Sequence, residues 1–293
     1  MPHKRIGLVG VGLVGSALME RFVFHGWEVI GFDIVAERLG PLSALTARAA
    51  PNADQVFDVA DIVVISLPTS EIVAGVLDAV APHLAGKTVV DTTTGDPEQM
   101  AGIAHRLAAC GARYLDATIA GSSVQIRDGE AVVLVGGPAE TVADCETLLR
   151  SFAAEVYHVG DWGAGARMKL VVNLVLGLNR AALAEGLAFA RAVGFDPQTA
   201  LDILRTGPAF SRVMDVKGEK MLTGDFTPHA RLSQHHKDVR LILDMGRRLA
   251  ARLPLSTVHE QLLEELEQQG CGDLDNSAIL KAFQPETDVR GEG

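Results

Sequence analysis

Lys169 and Asn173 stand four residues apart in the run Gly163-Ala164-Gly165-Ala166-Arg167-Met168-Lys169-Leu170-Val171-Val172-Asn173. On a helix that spacing puts both side chains on one face, where an amine and a carboxamide reach the same ligand. A lone lysine near a helix start is usually a solvated charge. Here Met168, Leu170, Val171 and Val172 flank it, and partial burial draws an ammonium pKa down toward the range in which it passes a proton. Lys169 is thus a candidate proton carrier, with Asn173 able to reach the same ligand. Gly163 and Gly165 allow the backbone just ahead of them to pass close to a neighbour.

A second constellation lies near the N-terminus. Gly10-Val11-Gly12-Leu13-Val14-Gly15 follows an apolar run, Arg5–Val9, and opens an expected helix from Ser16 to His25. Between a strand and a helix this pattern is a dinucleotide fingerprint. Gly10 permits the tight turn, Gly12 lets the backbone approach a pyrophosphate, Gly15 allows close helix packing, and the helix N-terminus supplies free N–H groups. The bland alternative is a tight turn and nothing more. Asp33 ends the next run, where an acidic side chain binds the adenosine ribose hydroxyls and repels a 2'-phosphate, which favours NAD over NADP. Asp33 reads equally as a cap on the helix after it, and Arg38 one turn on weakens the discrimination. Ser66-Leu67-Pro68 and Asp91-Thr92-Thr93-Thr94 sit at later strand ends, where open α/β sheets bind ligands; ordinary turn and capping chemistry explains either as well.

His235 and His236 invite a metal reading. Adjacent helical residues diverge by about a third of a turn, and no carboxylate or thiol stands at ligand spacing, so a solvated or core-edge pair is expected and no metal. Arg231 reads as a surface charge.

The elements that must position these groups fall into two textures. From Lys4 to about Val159, short apolar runs (Arg5–Val9, Glu28–Phe32, Ile62–Ser66, Thr88–Asp91, Arg113–Leu115, Ala131–Val135, Glu155–His158) alternate with amphipathic stretches. That is an α/β pattern, a doubly wound Rossmann sheet covered on both faces. After it the chain reads as helix only: a long interdomain helix from about Ala166 to Val193, then Pro197–Leu204, Ala209–Met221, Arg231–Leu253, Ser256–Gln269 and Asn276–Phe283. The expected division is 1–162, a dinucleotide-binding domain, and 163–293, an all-helical substrate and oligomerisation domain. Gln284–Gly293 carries no apolar pattern and is expected to be mobile.

The composition of the 293 residues, 48% hydrophobic and 22% charged, is that of a globular chain long enough for two domains. A net charge of -11 without a Lys/Arg block argues against nucleic acid and for a small-molecule partner. No apolar run reaches the ~18 residues that span a bilayer, and no small-residue cleavage signature follows Ile6–Val14, so no membrane and a cytoplasmic location are expected. Cys110, Cys145 and Cys271 lie far apart and read as reduced thiols.

Taken together, the N-terminal glycine motif, Leu67-Pro68, Asp91 to Thr94, Asp116-Ala117-Thr118-Ile119-Ala120-Gly121-Ser122, Gly129, the Gly-x-Gly-x-x-x-Lys-x-x-x-Asn run, Lys237-Asp238, and Gly272-Asp273-Leu274-Asp275 with Ser277-Ala278 give the chain a resemblance to the β-hydroxyacid dehydrogenases. This family includes 3-hydroxyisobutyrate dehydrogenase, tartronate semialdehyde reductase and, more distantly, 6-phosphogluconate dehydrogenase, and the likeness covers nearly the whole chain. It implies a cofactor, NAD with NADP disfavoured, held by Gly10, Gly12, Leu13, Val14, Gly15, Asp33, Leu67, Pro68, Thr94 and Lys237, the last closing over it. It implies Lys169 as the catalytic lysine, Asn173 as its hydrogen-bonding partner on the substrate, and Gly121-Ser122 as a backbone cradle for the substrate carboxylate, with Ser123 beside them. The substrate would be a small 3-hydroxy acid or its semialdehyde. Abundant Ala and Leu on several helix faces point to a homodimer or homotetramer.

The substrate loop departs from the family pattern Asp-x-Pro-Val-Ser-Gly-Gly: Thr118 replaces proline, Ala120 serine and Ser122 the second glycine, while Ser122 and Ser123 offer hydroxyls from shifted positions. Val172 stands where the family has an asparagine. Two rivals follow. An imine reductase shares the architecture but usually has Asp or Tyr in place of Lys169; a catalytically dead, dinucleotide-binding scaffold would fit the altered loop.

Overall fold

Alternate residues of the N-terminal strands divide between two apolar layers. Ile6, Leu8, Ile62, Val64, Val90 and Leu115 pack on one side, and Val9, Val63, Ile65, Val89 and Tyr114 on the other. A strand buried on both faces needs apolar side chains at every position, which is why these segments read as unbroken runs. The structure, a computed structural model, describes residues 5–40 and 47–284. Contacts separate it into two compact units, Met1–Lys169 and Leu170–Gly293.

The first unit is built on an eight-stranded sheet, β1 Arg5–Val9, β2 Glu28–Phe32, β3 Arg48–Ala49, β4 Ile62–Ile65, β5 Thr88–Asp91, β6 Arg113–Ala120, β7 Ala131–Gly136 and β8 Ala153–Gly160, in the order β3-β2-β1-β4-β5-β6-β7-β8. All pairs are parallel except β6 with β7. The order reverses at β1, the switch point at which doubly wound sheets bind ligands. Helices α1 Leu13–Phe24, α2 Ala53–Val59, α3 Ser70–Ala79, α4 Pro97–Ala109, α5 Ser123–Asp128 and α6 Ala139–Arg150 connect the strands. Ala17, Leu18 and Phe22 of α1 join one layer, with Phe22 edge-on to Phe152; Val56, Val73, Ile103 and Leu107 join the other.

Two differences from the sequence expectation have plain causes. β6 runs on to Ala120 instead of stopping at Leu115, because Asp116 and Thr118 interrupt the apolar pattern yet are fully buried and hydrogen-bonded. β3 is a two-residue edge strand with both residues exposed, too short to leave a pattern.

The second unit is helical among its described residues. α7, Ala164–Ala192, is a continuous helix of 29 residues that begins in the first unit and continues into the second. By length and composition it could cross a membrane, a correction to the sequence reading. Its Leu183, Ala184 and Leu187 instead join a core with Leu201, Met221, Val239, Leu263 and Leu280. It is followed by α8 Pro197–Thr206, α9 Arg212–Thr223, α10 Leu232–Arg248, α11 Pro254–Gln268 and a 3-10 segment, Asn276–Phe283. α10 stops short of the expected Leu253 because Ala250 adopts φ 53°, a left-handed conformation that breaks a helix.

Asp275 ties this unit together. Fully buried, it accepts bonds from Lys217 at 2.8 and 2.9 Å and from the Ser277 hydroxyl at 2.7 Å. Burial opposes its charge, but these partners hold its pKa down to about 2. His236 is not solvated or at the core edge: it is fully buried, 2.6 Å from Glu267 and 3.3 Å from Glu260. His235 is buried against the His259 ring. Arg231 is half-exposed and faces Asp273. Of the tail expected to be mobile, residues 285–293 lie outside the described residues.

Candidate active site

The glycine motif forms the turn between β1 and α1. Gly10 has φ +95°, and a Cβ there would strike the Ser66 carbonyl; a Cβ on Gly15 would strike the carbonyl of Gly10. At Gly12 a Cβ would meet nothing within 4 Å, so the backbone there is open to a ligand's approach. α1 has no side-chain cap, which leaves the N–H groups of Leu13, Val14 and Gly15 with the positive end of the helix dipole. Asp33, nearly buried, accepts the Val11 N–H at 2.7 Å and the Val35 N–H at 2.8 Å, with Arg38 at 3.3 Å. The Val35 contact is a local turn and the Val11 contact braces the glycine loop; the helical turn that follows, Ala36–Leu39, is capped at Val35 with no side-chain bond, so Asp33 is not its cap. An open backbone cradle, free helix N–H groups and an acidic group at the end of β2 fit a dinucleotide.

The next two strand ends are joined. The Leu67 N–H, after β4, donates to the Thr93 hydroxyl at 3.1 Å. The Thr93 N–H donates to Asp91 at 2.9 Å, and the Tyr114 hydroxyl to the other Asp91 oxygen at 2.7 Å. Burial pushes the Asp91 carboxyl up to about 6, against those bonds, and pushes the Tyr114 phenol well up, with the Asp91 charge adding to it. Pro68 is exposed beside Leu67, and Thr94 is half-buried immediately after Thr93.

β6 delivers the substrate loop. Gly121 is exposed, Ser122 caps α5, and Ser123 is buried in its first turn. Ser122 and Gln125 form a capping box: the Gln125 N–H donates to the Ser122 hydroxyl at 3.3 Å and the Ser122 N–H to Gln125 Oε1 at 2.9 Å. The carboxylate cradle expected at Gly121-Ser122 therefore cannot use the Ser122 N–H while this box is closed. Serine three residues before glutamine is the local sequence signature of such a box.

The same strand fixes the start of α7. Asp116 accepts the Gly163 and Ala166 N–H groups, both at 2.9 Å; burial raises its pKa while those bonds lower it. The Thr118 hydroxyl donates to the Gly165 carbonyl at 3.0 Å. A Cβ on Gly165 would sit 2.5 Å from the Leu134 carbonyl and one on Gly163 2.6 Å from the Pro97 carbonyl, so Gly165 approaches the backbone of the sheet and Gly163 the start of α4. One turn on, Lys169 is 7% exposed and Asn173 5%.

Asn173 donates its amide to Asp238 at 2.8 Å, and the other oxygen of Asp238 lies 3.0 Å from Lys237. Lys237, singled out as a cofactor contact, is thus the counter-ion of the carboxylate that holds Asn173. Asp91, Asp116, Thr118, Gln125 and Asp238 are the supporting groups that sequence reasoning did not assign roles.

Residues 5–160 match the family model described as the NAD binding domain of 6-phosphogluconate dehydrogenase, and residues 163–283 the one described as NAD-binding of NADP-dependent 3-hydroxyisobutyrate dehydrogenase. The 2-(hydroxymethyl)glutarate dehydrogenase of Eubacterium barkeri is 31% identical over 99% of this chain and 98% of its own. The 2-hydroxy-3-oxopropionate reductase of Escherichia coli strain K12 is 29% identical over 96% and 97%. The chain also matches the Homo sapiens cytokine-like nuclear factor N-PAC, 30% identical over 96% of this chain, but spans 51% of that protein. A solved 3-hydroxyisobutyrate dehydrogenase from Salmonella typhimurium superposes with TM-score 0.88 at 27% identity, covering 95% of this chain and 99% of that one. An imine reductase from Pseudomonas sp. reaches TM-score 0.67 at 21% identity over 96% and 99%, a likeness of fold alone.

Proposed function

The chain belongs to the β-hydroxyacid dehydrogenase family of NAD(P)-dependent oxidoreductases, and on that premise we propose that it moves a hydride between a nicotinamide dinucleotide and a small 3-hydroxy acid or its semialdehyde, with Lys169 as general acid and base. The observation that carries this reading is a buried lysine and a buried asparagine one turn apart on α7, the asparagine held by Asp238. Names of two relatives, a hydroxymethyl acid dehydrogenase and a 2-hydroxy-3-oxo acid reductase, support the substrate class.

When bound, the nicotinamide supplies the hydride acceptor for oxidation or the donor for reduction. Gly12 and the N–H groups of Leu13, Val14 and Gly15 would hold its pyrophosphate, Asp33 would meet the adenosine ribose, and Leu67, Pro68 and Thr94 would line the rest of its site on the first unit. In oxidation Lys169 Nζ takes the substrate hydroxyl proton as the C–H bond breaks; in reduction it returns that proton to the carbonyl oxygen. Asn173 spends one amide hydrogen on Asp238 and turns the rest of its carboxamide to the substrate oxygen. Gly121, Ser122 and Ser123 bind the substrate carboxylate through the Gly121 backbone and the serine hydroxyls. Asp33 favours NAD, with Arg38 beside it moderating the preference.

The exposed apolar side chains Phe189 and Val193, one turn apart on or just past α7, support self-association as a homodimer or homotetramer, which sedimentation of the purified chain measures. The free thiols support a cytoplasmic location.

The test is a screen at 340 nm with NAD and NADP across 3-hydroxyisobutyrate, glycerate, serine, short 3-hydroxy acids and their semialdehydes, run beside Lys169→Ala. Turnover with one of these acids, abolished in K169A while NAD affinity persists, is the expected result. Full turnover in K169A, or loss of cofactor binding with residual turnover, overturns the role of Lys169.

A further inference from the structure

Asp116 and Thr118 are two residues apart on β6 and so share one face of the strand. Both reach the first turn of α7, and each holds it differently. Asp116 grips it end-on through the Gly163 and Ala166 N–H groups, where a negative charge meets the positive end of the helix dipole. Thr118 grips it from the side through the Gly165 carbonyl. In an α-helix that carbonyl is also the acceptor for the backbone N–H four residues later, which here belongs to Lys169. Gly165 lies flush against the Leu134 carbonyl, so the helix has no slack toward the sheet. End-on bonds alone leave a helix able to turn about its axis; a bond from the side removes that rotation.

We propose that Thr118, together with Asp116, is a positioning residue for Lys169, setting the rotation of the first turn of α7 and hence the direction of the lysine relative to the loop, Gly121 to Ser123, that the same strand carries. This rests on the reading of Lys169 as the proton carrier. One strand then controls both the group that moves the proton and the segment that receives the substrate carboxylate.

Thr118→Val keeps the shape and removes the donor; Thr118→Ser keeps the donor and removes a methyl. The expected result for T118V is a fall in kcat of about tenfold or more, as for other small misplacements of a catalytic group. Its KM for the cofactor stays at the parental value, and the pH of half-maximal kcat moves. T118S should recover kcat to within about threefold and restore the pH profile, since it keeps the hydroxyl that sets the geometry. A merely structural role would lower the melting temperature and leave the pH profile in place. If valine prevents folding, Thr118→Ala takes its place in the comparison. Parental kcat and pH profile in T118V or T118A, or equal impairment in T118S, overturns the proposal. K169A run in parallel separates the two ideas: full turnover there defeats the reading of Lys169 itself, whereas an inactive K169A beside an unaffected T118V defeats only the positioning role.

Discussion

Replacing Asp91 by asparagine tests the buried polar bridge behind the cofactor turns. Asp91 is wholly buried, and its carboxyl is raised from 3.8 to about 6. The native state therefore holds the proton more tightly than the unfolded chain. Stability contributed by the protonated group is complete below the unfolded value of 3.8 and is lost as pH rises through about 6. At ~1.4 kcal/mol per tenfold change in proton affinity, the loss is about 3 kcal/mol, about half of it gone by pH 5 and nearly all by pH 7. The carboxamide introduced in D91N is neutral throughout and keeps an acceptor for the Thr93 N–H. The unfolding free energy of D91N minus that of the parent should thus rise by about 2.4 kcal/mol between pH 4 and pH 7, all other titrations cancelling. Both tryptophans, Trp27 and Trp162, lie in the N-terminal unit, and Trp162 donates to the Tyr114 carbonyl at 2.9 Å. Guanidinium unfolding followed by tryptophan fluorescence at several pH values therefore reads the relevant unit. A difference that stays flat to within about 1 kcal/mol, or falls with pH, would refute the linkage argument.

Gly12→Ala should leave the melting temperature within about 2 °C of the parent, since the new Cβ meets no protein atom within 4 Å and φ there is -78°. It should raise the NADH dissociation constant about tenfold or more in a fluorescence titration, and unchanged affinity would remove the pyrophosphate from that loop. Asp238→Ala removes both the partner of Asn173 and the counter-ion of Lys237. A charge-assisted bond of ~1.5 to 3 kcal/mol corresponds to a fall of about 10- to 100-fold in kcat/KM for the hydroxy acid, measured by steady-state kinetics.

What the sequence makes legible is what is local. β1, β2 and β5 match their expected bounds because burial on both faces leaves their interiors free of polar residues, with Arg5, Glu28, and Thr88 and Asp91 only at the ends. The glycine turn and α7 carry their signals within a few residues as well. The supporting groups do not. Thr118 bonds to Gly165, 47 residues on, and Asn173 to Asp238, 65 residues on; no periodicity links such pairs, and only the folded chain brings them together. A buried aspartate inside a strand even hides the strand, as Asp116 does in β6. The Ser122–Gln125 box is the exception among the supporting contacts, since its two residues lie within one helical turn and their types alone announce it.

Because β7 runs antiparallel to β6, the chain leaves the sheet at Ala120 and re-enters beside it, with Ala120 paired to Val132. Residues 121–130 are therefore an excursion whose two ends are already neighbours, unlike the crossovers elsewhere in the sheet. Such a segment can be lengthened, shortened or replaced without shifting the register of either strand. In evolutionary terms it is a cassette anchored by one core side chain, Ile126: on the proposed reading of Gly121 to Ser123, acceptance of a new acid can be explored there by loop grafting that keeps this anchor, while the strand below keeps its grip on the helix.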